Sequence, residues 1–82
     1  MDTQDQITKT VVAELRSVTG QKVIDLDLSL KDQGVDSITA MELIIELERK
    51  FNITVPDEKI EQLKTARSVI ELVQTLLAFH VT

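Results

Sequence analysis

Ile7, Val11, Leu15 and Val18 stand at helical spacing, and the same period returns at Ala40, Leu43, Ile44, Leu47 and Phe51 and again at Val69, Ile70, Leu72, Val73, Leu76 and Leu77. A chain patterned this way buries its apolar stripes helix on helix. The first helix is expected over roughly residues 3 to 19, where Thr3 with Gln6 can form a capping box and Gly20 offers a stop. From Gln21 to about Asp36 the period is lost, although Val23, Leu26, Leu28, Leu30 and Val35 stay apolar. Leu26, Leu28 and Leu30 alternate with Asp27 and Ser29 as in a short strand, yet a lone strand would have no partner elsewhere in the sequence. The segment reads as a loop pinned to the core by its leucines, and so long a connection in a compact domain calls for a task.

The second helix is expected from Asp36 or Ser37 to about Phe51. Asn52 to Val55 then connects to a short third helix that starts at Pro56-Asp57-Glu58, with Ile60 and Leu63 facing inward. Thr65 can cap the last helix, from Ala66 to about His80, although Ser68 with Glu71 makes a competing box. No repeat, low-complexity tract or linker interrupts the chain. Residues 1–82 are therefore expected to form a single all-α domain, a four-helix bundle with a long loop between helices 1 and 2 and a short helix 3.

Composition limits both the core and the chemistry. A domain of 82 residues needs an efficient core, since a chain of this size buries only roughly 60% of its unfolded surface. Phe51 and Phe79 are the only aromatics, so Leu, Ile and Val must supply that core. The absence of cysteine removes disulfides, thiolate metal sites and cysteine nucleophiles together. The single histidine, His80, lies near a terminus and reads as a solvated helix-end residue, which leaves metal binding and Ser-His catalysis poorly served. A net charge of -5 with scattered basic residues is a poor surface for nucleic acid. No run approaches the length of a membrane span, and Met1-Asp2-Thr3-Gln4-Asp5-Gln6 lacks a signal peptide's charge and apolar stretch. The expectation is a soluble, cytoplasmic, monomeric protein without metal.

Gly34-Val35-Asp36-Ser37-Ile38 closes the long loop. Gly34 allows a tight approach, Asp36 is a strong N-cap type, and Ser37 falls in the first helical turn, where free amides and the positive dipole end favour a phosphate esterified nearby. Taken alone, Asp36-Ser37 reads first as a helix cap. At about 100° per residue, Ala40, Leu43, Ile44, Leu47 and Phe51 share one arc of the second helix, while Ile38, Met41 and Ile45 cluster almost opposite. Either the helix is buried on both sides, which is hard to satisfy with so few elements, or the second stripe is an exposed docking strip beside Ser37, edged by Glu42, Glu48 and Arg49.

These residues resemble the attachment site of the acyl and peptidyl carrier proteins, in whose G-x-D-S-[LI] motif the serine after Asp carries 4'-phosphopantetheine. Ser29-Leu30-Lys31-Asp32-Gln33-Gly34-Val35-Asp36-Ser37 is similar to the family's S-L-x-x-x-G-x-D-S loop, Met41-Glu42-Leu43 to its x-E-L segment, and Phe51 with Ile53-x-Val55-Pro56 to its F-x-I-x-[IV]-P stretch. The resemblance covers about residues 7 to 77 and implies the four-helix fold read above. It also implies that a phosphopantetheinyl transferase, using coenzyme A and Mg²⁺, loads the arm on Ser37 beside Asp36. The arm's thiol would then hold acyl groups as thioesters for an acyltransferase, a ketosynthase or other synthase enzymes, with no catalytic residue in the carrier itself. Ile38, Met41, Glu42, Ile45, Glu48 and Arg49 become the expected recognition residues. Leu47, Val55, Ile60, Leu63 and Val69 could line a slot for the acyl chain, or could simply fill the core.

Two departures bear on the pathway. Ile38 stands where Leu is commoner, a conservative change. Arg49 and Lys50 end the second helix where fatty-acid carriers look strongly acidic, and Lys59, Lys64 and Arg67 dilute the acidity further. This favours a carrier of polyketide or hybrid polyketide/nonribosomal-peptide synthesis over a fatty-acid or purely aminoacyl/peptidyl one, and an initial Met with a complete set of helices makes a stand-alone protein the expectation. The competing class is an unmodified helical interaction module using the Ile38, Met41, Ile45 strip. A hydrolase pairing Ser37 with His80 is remote.

Overall fold

The computed structural model describes the backbone of residues 3–80 and the side chains of residues 4–78. Four helices follow one another, α1 (Thr3–Thr19), α2 (Ser37–Phe51), α3 (Asp57–Ile60) and α4 (Ala66–His80), with a 3₁₀ turn at Lys31–Gln33 inside the first loop. α1 packs against both α2 and α4. Its stripe of Ile7, Val11 and Leu15 meets Leu43, Ile44 and Leu47 of α2 and Ala66, Val69, Ile70 and Val73 of α4 in a single buried cluster. Leu30, Val35, Ile53 and Val55 from the loops complete it. Lys50 Nζ lies 3.0 Å from Glu14 Oε1 and adds a charged tie between α2 and α1.

Local chemistry sets the ends. Gly20 takes φ +74°, and its amide donates to the Arg16 carbonyl at 2.9 Å, which stops α1. Asn52 closes α2 in the left-handed region at φ 54°, with its amide on the Glu48 carbonyl. Pro56 is the residue before α3 rather than its first helical position. For α4, Thr65 Oγ1 accepts from the Ser68 amide at 3.1 Å, while Ser68 Oγ accepts from the Thr65 amide at 3.0 Å. Thr65 is thus the cap and Ser68 its reciprocal partner, so the expected competition between Thr65 and a Ser68-Glu71 box is resolved for Thr65. The Thr3-Gln6 box and the readings of Phe79 and His80 rest on side chains outside the described residues.

The first loop departs from the simple picture of leucine pins. Leu30 and Val35 are buried and Leu26 is half-buried, but Leu28 is 44% exposed and Val23 79%. Ile24, not singled out from the sequence, is half-buried against the core instead. The loop coils instead of running extended, because Asp25 Oδ1 accepts from the amides of Asp27 and Leu28 at 2.9 and 3.2 Å in an Asx-type turn. Alternate leucines therefore do not share a face. The strand-like alternation does find one partner, a single antiparallel bridge between Ser29 and Thr65. Around it the Leu30 amide donates to the Lys64 carbonyl at 2.8 Å and the Arg67 amide to the Leu26 carbonyl at 3.0 Å. Arg67 Nε also meets Asp27 Oδ1 at 2.6 Å. The loop is fastened to the start of α4.

Candidate functional site

Ser37 opens α2, exposed to solvent, and its hydroxyl is engaged by no hydrogen bond among the described residues. Three backbone devices put it there. Gly34 takes φ 91°, a conformation that costs any other L-residue strain, and donates its amide to Lys31 O at 3.2 Å. The Val35 amide turns back to the Leu30 carbonyl at 2.9 Å while its side chain is buried, so the chain is anchored two residues before the serine. Asp36 is the N-cap, with extended backbone and Oδ1 accepting from the Thr39 amide at 2.8 Å. That backbone amide holds the Asp36 carboxyl below the usual carboxylate range. With Asp36 committed to capping, Ser37 is left free.

Two shallow depressions flank the serine. One, of about 300 Å³, is lined by apolar Leu30, Val35, Ala40 and Leu63 and by the cationic Lys31 and Lys64. The other, of about 500 Å³, runs over Lys31, Gly34 and Val35. Lys31 and Lys64 were not read as site residues from the sequence. They are far apart in the chain, and only the bridge that fastens the loop to the start of α4 brings them to one rim.

On α2, Ile38, Met41 and Ile45 are 72%, 46% and 50% exposed, whereas Leu43, Ile44 and Leu47 are buried. The two stripes face opposite environments, so α2 is not buried on both sides. Glu42 and Arg49 are exposed beside the strip. Arg49 makes only a long contact of 3.7 Å with Glu46. Glu48 is half-buried, and its Oε2 accepts from the Val55 amide at 2.8 Å. It fixes the connector to α3 by supplying the acceptor for that amide. The expected slot residues are split. Leu47, Val55 and Val69 are buried in the core, while Ile60 and Leu63 are half-buried. Of these, Leu63 lines the depression beside Ser37 and also a groove of about 390 Å³ between α3 and α4 floored by Leu72 and Leu76.

The family model described as the phosphopantetheine attachment site matches residues 9–73, a span that includes the whole loop and Ser37. The acyl carrier protein of Exiguobacterium sibiricum is 41% identical over 76 residues, covering 89% of this chain and 96% of that protein. The chain belongs to the acyl carrier protein family. A second relative, the acyl carrier protein of Wolinella succinogenes, is 37% identical over 67 residues, covering 82% of this chain and 88% of its own. Among solved structures, the acyl carrier protein of Thermotoga maritima shares the fold at a TM-score of 0.81 and 22% identity, covering 94% of this chain and 93% of that one. The acetyl actinorhodin acyl carrier protein of Streptomyces coelicolor superposes at 0.75 with 28% identity, covering 90% and 93%.

As an acyl carrier protein the chain works through a covalently attached 4'-phosphopantetheine, which sets aside the unmodified interaction module. It has no catalysis of its own and meets a phosphopantetheinyl transferase and synthase enzymes. The surroundings of Ser37 suit such an arm: a free hydroxyl, first-turn amides, and Lys31 and Lys64 at the rim for a phosphodiester. Among the described residues no helix is long and apolar enough to cross a membrane, and no cluster of acidic or histidine side chains could hold a metal ion.

Proposed function

We propose that Ser37 is the residue that carries the arm, with Asp36 setting its presentation. The observation that supports this is the pairing of a capping aspartate with a free, exposed hydroxyl at the start of α2, inside the matched family segment. In loading, Ser37 Oγ bonds to the pantetheine-side phosphorus of coenzyme A while that phosphorus loses its bond to the second phosphate. Adenosine 3',5'-bisphosphate leaves, and the hydroxyl proton passes to a base of the transferase. Once attached, the arm supplies a thiol that holds acyl groups as thioesters at high effective concentration. The carrier acts as a single, monomeric, cytoplasmic domain on this reading.

Partner enzymes read Ile38, Met41, Glu42, Ile45 and Arg49, an apolar strip with a charge of each sign beside it. An acyl chain that leaves solvent would pass Leu63, which borders both the depression beside Ser37 and the groove between α3 and α4, and not Leu47 or Val69. Strong protection of a hexanoyl thioester from hydroxylamine, lost in Leu63→Asp, would support that path. The pathway we infer is polyketide or hybrid synthesis. Its support is the exposed Arg49 near the end of α2 and the likeness to the actinorhodin carrier. Lys50 and Arg67 carry less weight than the sequence suggested, because each is spent on an internal ion pair.

The test is intact mass after incubation with coenzyme A, Mg²⁺ and a broad-specificity transferase. One added phosphopantetheinyl group is expected for the natural chain and none for Ser37→Ala. A folded natural chain that gains nothing would sink the assignment. Efficient elongation of the loaded protein to long saturated chains by fatty-acid synthase enzymes would move it to fatty-acid synthesis.

A further inference from the structure

Gln33 is the one buried polar side chain among the described residues, 4% exposed in a loop that has almost no regular structure. Its Nε2 donates to the carbonyls of Asp25 and Leu28 at 2.9 and 3.0 Å, and its Oε1 accepts from the Asp25 amide at 2.9 Å. Its own carbonyl accepts from Gln21 Nε2 at 2.9 Å. Only a primary amide can do this. A carboxylate has no proton for the two carbonyls, and an apolar side chain would leave all three backbone groups unpaired. The amide stands in for the ladder that a strand would have provided. It draws residues 25 and 28 onto the 3₁₀ turn from which Gly34, Val35 and Asp36 lead to Ser37, and residue 21 joins through its own side chain on the Gln33 carbonyl.

We propose that Gln33 is a positioning residue for the modification of Ser37. It keeps the delivering loop preformed, so that enzymes acting on the serine meet an ordered surface and need not order it on binding. The inference rests on the assignment of Ser37 above. Without the amide the helices still share their core, but the loop samples many shapes, and its ordering is charged to association. The cost therefore falls on KM for the carrier and spares kcat, since the bound and ordered complex is unchanged. A residue that merely stabilises the fold would alter neither value in a fully folded sample.

The experiment measures phosphopantetheinyl transfer from coenzyme A by a broad-specificity transferase, at a temperature where circular dichroism shows each variant folded. Gln33→Met keeps the length and removes every hydrogen bond, and Gln33→Glu keeps the acceptor but faces two carbonyl oxygens with a carboxylate. Each is expected to raise KM for the carrier about tenfold with kcat within about twofold of the natural chain, alongside faster hydrogen exchange at the Asp25 amide. Unchanged KM in a folded variant overturns the proposal, as does an equal loss in kcat. Global unfolding of both variants overturns it too, because Gln33 would then hold the core and not the loop. A natural chain that accepts no group at all defeats the Ser37 assignment instead, which keeps the two failures apart.

Discussion

Replacing Ile45 by lysine separates recognition from folding. Ile45 is 50% exposed, so the substitution forfeits at most half of the about 1.5–3 kcal/mol that complete burial of an isoleucine brings. Three effects offset the loss: the lysine stem covers some of the same surface, lysine is the better helix former by a few tenths, and Glu42 lies one turn earlier as a partner. A net cost of about 0.5 kcal/mol remains. With an unfolding entropy of about 2.1 cal/mol/K per residue over 82 residues, the melting temperature should fall by about 3 °C. Leu43→Lys, two positions away at 1% exposure, strands a charge in the core and should cost more than about 4 kcal/mol, or over 20 °C. In acyl transfer the order reverses. Losing an apolar anchor worth about 1–2 kcal/mol at the centre of an interface lowers kcat/KM for Ile45→Lys about five- to thirtyfold. The assay pairs thermal melts by circular dichroism with malonyl transfer by an acyltransferase that accepts the natural chain. A drop above about 15 °C would place Ile45 in the core, and an unchanged transfer rate would place recognition elsewhere.

Three further outcomes are expected. Glu48→Ala strands the Val55 amide and should destabilise by about 1.5–3 kcal/mol, whereas Glu48→Gln, which keeps an acceptor, should recover most of that in urea melts. Gly34→Ala meets nothing closer than Gln21 Nε2 at 3.9 Å, so its cost is backbone strain alone, about 1–2 kcal/mol, read as a lower denaturation midpoint with an unchanged slope. Asp27, through its hydrogen bond to Arg67, and Asp36, through the Thr39 amide, both have carboxyls held below their ordinary value. Their stabilisation is present above the unfolded-state pKa and fades as pH falls through the lower folded one. Melts from pH 7 to pH 2 should therefore show a shallower acid loss for the Asp27→Asn, Asp36→Asn double variant than for the natural chain, and parallel curves would refute the linkage.

The helices were written in the sequence because helical periodicity, caps and stops are local. Gly20 ends α1, Asp36 caps α2 and Thr65 caps α4 through contacts within a few residues, and the exposed stripe of Ile38, Met41 and Ile45 follows from angle alone once the opposite arc is buried. The place of Ser37 at the start of α2 was legible for the same reason. What the sequence left open depended on side-chain pairings that follow no period. The strand-like spacing of Leu26, Leu28 and Leu30 gave no hint that Asp25 and Gln33 would coil the loop and turn Leu28 outward, since an Asx turn and a side-chain amide on loop carbonyls leave no periodic trace. Glu48 looked like any helix-surface acid until the connector brought the Val55 amide to it. Lys50 and Arg67 looked like free cations until folding set Glu14 and Asp27 against them. Local sequence determined which segments are helices and which serine leads α2. Tertiary structure decided which polar side chains are consumed in holding the loop and which remain for partners, because that allocation depends on who meets whom in space.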